Sequence, residues 1–84
     1  MKWTKKRESF SLSYNLHGRR NGYKATVSYD SWYKHYYFLI EKGDRAYNSL
    51  WDLKSYTNEE ECKRDCENFC DKDVLKEQEN LICR

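Results

Sequence analysis

The sequence predicts an α+β fold: a three- to four-stranded antiparallel sheet, then a C-terminal helix or two helices packed on one sheet face. Three observations predict it. Apolar and polar residues alternate over much of residues 8–51. Gly and Asn residues punctuate that stretch where turns are needed. From residue 58 to residue 82 the spacing becomes helical. With 84 residues there is room for one small domain, spanning 1–84, with its sheet in 8–51 and its helical segment in 58–82.

The elements follow in order. In E-S-F-S-L-S-Y-N-L (8–16), Phe10, Leu12, Tyr14 and Leu16 share one face of a strand, and Ser9, Ser11 and Ser13 the other. H-G-R-R-N-G (17–22) reads as a hairpin loop around an Asn-Gly pair. Y-K-A-T-V-S-Y (23–29) alternates again, with Tyr23, Ala25, Val27 and Tyr29 against Lys24, Thr26 and Ser28. D-S-W-Y-K-H (30–35) is an aromatic turn. Y-Y-F-L-I-E (36–41) is apolar on both faces and is expected to be central or covered on both sides. E-K-G-D-R (41–45) is a turn, and A-Y-N-S-L-W (46–51) a short fourth strand.

The helical segment opens with Thr57 and Glu60 in the capping-box spacing, and Glu59, Glu60 and Glu61 suit the positive end of a helix. V-L-K-E-Q-E-N-L-I (74–82) sets Val74, Leu75, Gln78, Leu81 and Ile82 near one face. One long helix and two helices broken near 71–73 both fit the pattern.

Cys62, Cys66 and Cys70 lie in steps of four, with Phe69, along one stripe of that helix. Small buried residues let a helix sit close to a sheet, so a core stripe is the expected role. A zinc site needs four converging ligands, and Cys62 and Cys70 are about 12 Å apart along a helix axis. A site would have to combine Cys66, Cys70 and Cys83 with His17 or His35. A disulfide would have to join Cys66 or Cys70 to Cys83, because neighbouring helical Cβ vectors run nearly parallel. The basic N-terminus, M-K-W-T-K-K-R-E, has no apolar core after it, unlike a signal peptide, and no apolar run reaches bilayer length. A cytoplasmic protein with reduced thiols is expected.

Charged residues make up 36 % of the chain, yet 17 % is aromatic, a share that disordered chains lack. The chemistry-bearing patterns are missing. His17 and His35 fall in turns, no carboxylate pair sits in an apolar setting, and G-R-R-N-G lacks the Gly-Lys-Ser/Thr of a phosphate loop. A non-enzymatic protein without cofactor or metal is expected.

Charge is unevenly spread. Residues 1–57 hold 11 Lys/Arg and 5 Asp/Glu, and residues 58–84 hold 5 and 9. Such asymmetry suits a nucleic-acid contact or an electrostatically steered protein contact. The polar sheet face carries Ser9, Ser11, Ser13, Lys24, Thr26 and Ser28, joined by Tyr37 and Leu39 and ringed by Lys5, Lys6, Arg7, Arg19, Arg20 and Lys34. The order strand–strand–strand–helix, with the helix opening at T-N-E-E-E-C, resembles the layout of AP2-type and integrase amino-terminal domains over residues 8–70. That resemblance implies DNA reading by the sheet, although the Arg/Trp pattern of those domains is replaced here by Ser and Thr. The small chain, dense in Tyr, Lys and Glu and without a catalytic motif, also resembles small phage and mobile-element proteins, anti-CRISPR proteins among them. That likeness implies an inhibitor bound to a larger nucleic-acid-handling host protein.

The leading expectation is therefore an anti-defence-like interaction protein. Trp32, Tyr33, Tyr36 and Tyr37 are its contact candidates, because Tyr and Trp dominate binding hot spots. Glu59, Glu60, Asp65 and Glu67 would imitate phosphates on an acidic helix face. The alternative is a DNA- or RNA-binding module using Arg19, Arg20, Lys24 and Lys34. A monomer and a homodimer joined through Val74, Leu81 and Ile82 both fit.

Overall fold

A computed structural model of the chain describes residues 2–7, with Arg7 in its backbone only, and 12–75. Five antiparallel strands form one sheet in the order of the sequence: β1 (Thr4–Arg7), β2 (Tyr14–Arg20), β3 (Tyr23–Asp30), β4 (His35–Lys42) and β5 (Arg45–Asn48). A 3-10 turn (Ser49–Asp52) leads to the helix α1 (Glu59–Lys72), which lies on one sheet face. The α+β class is as the sequence predicts, with five strands where three to four were expected.

The differences have local causes. The first hairpin turn is only Asn21-Gly22, both at positive φ (53° and 80°), the geometry that matches the twist of two paired strands. His17, Gly18, Arg19 and Arg20 therefore belong to β2 rather than to a loop. Their backbones pair with Thr26, Ala25, Lys24 and Tyr23 instead of being left to water. Leu12, expected on the core face with Leu16, precedes β2 and is 76 % exposed. β1 was not foreseen: its four residues, T-K-K-R, are too short and too charged to show a period, which suits a blunted sheet edge. Ser9, Phe10 and Ser11 lie outside the described residues.

The expected fourth strand ends three residues early. Asn48 caps the 3-10 turn, its Oδ1 accepting from Leu50 N at 2.9 Å, so Leu50 and Trp51 leave the sheet. The buried Ser49 Oγ then accepts from Phe38 N at 3.0 Å, where β5 has ended. Tyr56 completes the edge by exchanging two backbone hydrogen bonds with Tyr36, at 2.7 and 2.8 Å. β4 is thus central, but α1 covers only one of its faces.

The cap of α1 is Asn58, not Thr57. Asn58 Oδ1 accepts from Glu60 N at 2.8 Å and Glu61 N at 3.3 Å, satisfying two of the orphan donors at the helix start. At the other end Asp73 takes the left-handed conformation (φ 54°), and its N–H donates to Cys70 O. The helix therefore stops within the stretch where a break was one of two readings; Gln78, Leu81, Ile82 and Cys83 lie outside the described residues. Between sheet and helix the core holds Leu16, Tyr23, Ala25, Val27, Phe38, Ile40 and Tyr47 against Cys62, Cys66 and Cys70, with Leu75 at one end.

The cap gives a direct check. Asn58→Ala should cost about 1 kcal/mol and lower the melting temperature by roughly 4–8 °C, while Thr57→Ala should change it little. Thermal melts followed by circular dichroism measure both, and an equal fall for the two variants would return the cap to Thr57.

Candidate functional site

A cysteine thiolate is a strong nucleophile and metal ligand where it is accessible. All three described cysteines are 0 % exposed and free. Burial pushes the Cys62 thiol up to about 12. The hydrogen bond with Cys70, and then burial, push the Cys66 thiol up, while the same bond lowers Cys70, so Cys70 is the first of the pair to ionise. Reactive cysteines are partly exposed and electropositive in setting. These are walled in by Phe69, Val27 and the other core residues, and they serve as the small, close-fitting face of α1.

Carboxylates of α1 are bound by aromatic groups of the sheet side. Tyr14 OH donates to Glu59 at 2.9 Å and also meets Tyr36 OH at 3.0 Å. Tyr56 OH donates to Asp65 at 2.8 Å, and Trp3 Nε1 to Glu67 at 3.2 Å. Tyr23 OH donates to Asp73, and Tyr47 OH to Asp52 at 2.5 Å. Of the four acidic contact candidates, Glu59, Asp65 and Glu67 thus hold the helix to the sheet. Glu60 is exposed and within 3.4 Å of Lys63.

The aromatic candidates are divided as well. Tyr36 faces the helix side, in ring contact with Tyr14 and Tyr29. Tyr37 faces the other way. Trp32 and Tyr33 are 84 % and 70 % exposed at the tip of the 31–34 turn. Asp30 Oδ1 builds that turn by accepting from Trp32 N and Tyr33 N, and Lys34, exposed, closes it at φ 56°.

Arg19 and Arg20 part in the same manner. Arg20 lies on the helix side, with Nε and Nη2 on the two carboxylate oxygens of Asp71 at 2.7 and 3.1 Å. Arg19 points to the open face, directly opposite Lys24. Like charges opposed across a strand pair are destabilising, so this pair works against the sheet. Thr4, His17, Thr26, Leu39 and Asn48 form the next cross-strand row, and Lys6, Asn15, Ser28 and Tyr37 the one after.

Two shallow depressions mark this face. Lys2, Thr4, Lys6, His17, Gly18, Arg19 and Lys24 line the basic one. Ser13, Asn15, Ser28, Asp30 and Tyr37 line a polar one, together with Tyr14 and Tyr29. None of Lys2, Lys6, Arg19 and Lys24 has an ion-pair partner among the described residues, although Glu41 stands opposite Lys24. Lys2 and Lys6 join this cluster through β1, the strand with no readable period. Lys6 is among the cations expected around this face; Lys2 is not, and its place beside the other basic residues of the N-terminal stretch is the one signal for it.

The chain matches no family model, no curated protein and no solved structure. Among the described residues no helix is long and apolar enough to cross a membrane.

The aromatic–carboxylate bonds make alkaline pH informative. Burial, then the Asp73 bond, raises Tyr23 to about 12, and burial with the Asp52 bond does the same for Tyr47. Tyr14 and Tyr56 are raised further, again by burial first. An unfolded tyrosine ionises near pH ~10, so the unfolded state releases these protons first. The stability they contribute should be whole below pH ~10 and should drain away as pH rises through about 12. Urea denaturation at fixed pH values reads this, and a midpoint indifferent to pH across that window would show that the hydroxyls are not held as described.

Proposed function

We propose that this protein is a non-enzymatic binding protein of the cytoplasm that takes nucleic acid on its open sheet face. One observation carries the reading: Arg19 and Lys24 stand opposite each other, exposed and without an ion-pair partner among the described residues, in a depression that Lys2 and Lys6 also line. Four cations that the fold leaves unneutralised on one side are the electrostatic footprint that phosphate binding requires. His17 and Thr26 between the rows, and Thr4 beside them, add hydrogen-bonding groups suited to phosphate and sugar.

The inhibitor of a larger nucleic-acid-handling protein is the second reading, and the exposed Trp32 and Tyr33 favour it. A hydrogen-bonded turn carrying two exposed aromatic rings has the composition of a binding hot spot. In that reading Trp32→Ala with Tyr33→Ala releases the partner, whereas Arg19→Ala with Lys24→Ala only slows its association.

Fluorescence anisotropy with labelled oligonucleotides, single-stranded and duplex, across a range of salt tests the leading reading. Arg19→Ala with Lys24→Ala should weaken binding and lower the logarithmic salt slope by about one or two. Arg20→Ala should leave the slope in place, because that guanidinium is already neutralised by Asp71. Unchanged affinity and slope in the Arg19, Lys24 variant would sink the proposal.

A further inference from the structure

We infer that the nucleic acid taken on this face is single-stranded, with unpaired bases stacked on Tyr33, His35 and Tyr37 and the backbone led over Lys24 and Arg19. The inference rests on the nucleic-acid reading and names the form that the face selects.

Six of the eight tyrosines divide into two groups. Tyr14, Tyr23, Tyr47 and Tyr56 each give a hydroxyl to a carboxylate and help to bind the helix or the 3-10 turn. The hydroxyls of Tyr33 and Tyr37 have no hydrogen bond to another side chain or backbone group among the described residues. Among the described residues the one aromatic ring that each meets is His35 between them, with centroids 5.8 Å and 6.0 Å from it. The three rings follow one another at every second residue, which puts His35 and Tyr37 on the open face of β4 and Tyr33 at its mouth.

This spacing decides the form of the ligand. Bases on a duplex strand rise by about 3.4 Å and cover one another's faces, so they cannot occupy rings nearly 6 Å apart. A single strand can open its bases to such a row, and base–aromatic stacking tolerates any sequence. Beside Tyr37 lie Asn15 and Ser28 in one cross-strand row, able to reach the edge of a base stacked there. From that row to Lys24 is four residues along β3, about 13 Å, so the stacking rings and the cations lie within a few nucleotides of each other.

The test uses the full chain with one mixed sequence of about twelve nucleotides, as single-stranded DNA, as single-stranded RNA and as a duplex, by anisotropy at several salt concentrations. At least one single strand should bind ten times or more tighter than the duplex. Tyr33→Ala, in the exposed turn, and Tyr37→Ala should each weaken that binding by roughly 5- to 150-fold with the salt slope unchanged. Tyr37→Phe should keep it, which separates a stacked ring from a lost hydroxyl, and circular dichroism verifies the fold of each variant. A duplex bound as tightly as the single strands, with both tyrosines indifferent, would overturn the single-strand inference and leave the nucleic-acid reading standing. No binding of any form at low salt would overturn both.

Discussion

The structure depends on how closely α1 can approach the sheet. Cys62, Cys66 and Cys70 present one small side chain per turn to the middle of β3 and β4, where Ala25 and Val27 are also small. At that distance the larger rings Phe38, Tyr47 and Phe69 fit around the seam, Tyr47 stacking on Phe69 at 5.4 Å and Phe38 meeting it edge-on at 5.2 Å. Around this core Tyr14, Tyr23, Tyr56 and Trp3 reach from the sheet side to carboxylates of the helix and its end. A chain so short has little apolar area to spare, and these partly buried bonds specify where along the sheet the helix sits.

That arrangement uses up much of the charge asymmetry. The acidic second part of the chain reads as a surface offered to a partner, yet much of its charge turns back on the first part. Arg20 holds Asp71, Lys42 lies 3.4 Å from Asp73, and Glu59, Asp65 and Glu67 accept from aromatic donors. The Arg20–Asp71 pair is half exposed, so solvent screens it and it contributes orientation more than stability. Positive charge without an internal use is then concentrated on the opposite side of the sheet, in Lys2, Lys6, Arg19 and Lys24.

The legible parts of the fold were those with a long period. β3 alternates over eight residues, β4 carries a continuous apolar run between turn signals, and the cysteine stripe repeats along α1, so all three are legible in the sequence. The illegible parts were set by single side chains or by pairing. Asn58 and Thr57 are both competent caps, and which one acts depends on where the cysteine stripe must point. Gly18 and two arginines look like loop, but a two-residue turn at Asn21-Gly22 lets them pair. β1 is defined by its partner strand and by nothing in its own four residues. For the site, period two assigns Lys24, Thr26, Ser28 and Tyr37 to the open face, while Arg19 and Arg20, read as loop, are given no strand face. Tyr36 and Tyr37, like Arg19 and Arg20, are neighbours that the pleat sends to opposite sides.

That separation gives the open face its meaning. A strand period of two acts on each doublet in the same way: one member is consumed by the helix, the other is left over. Tyr36 packs against Tyr29 and bonds Tyr14, while His35 is the one ring that Tyr37 meets among the described residues. Arg20 is neutralised, while Arg19 faces Lys24 across the hairpin. If the open face served only to meet water, an opposed Glu or Thr at either position would relieve the repulsion at no cost to the core. Glu41, opposite Lys24 on β4, offsets part of that repulsion, but the core gains nothing from the Arg19–Lys24 pair, and the proposed binding of an anion from the open side would give both cations a use.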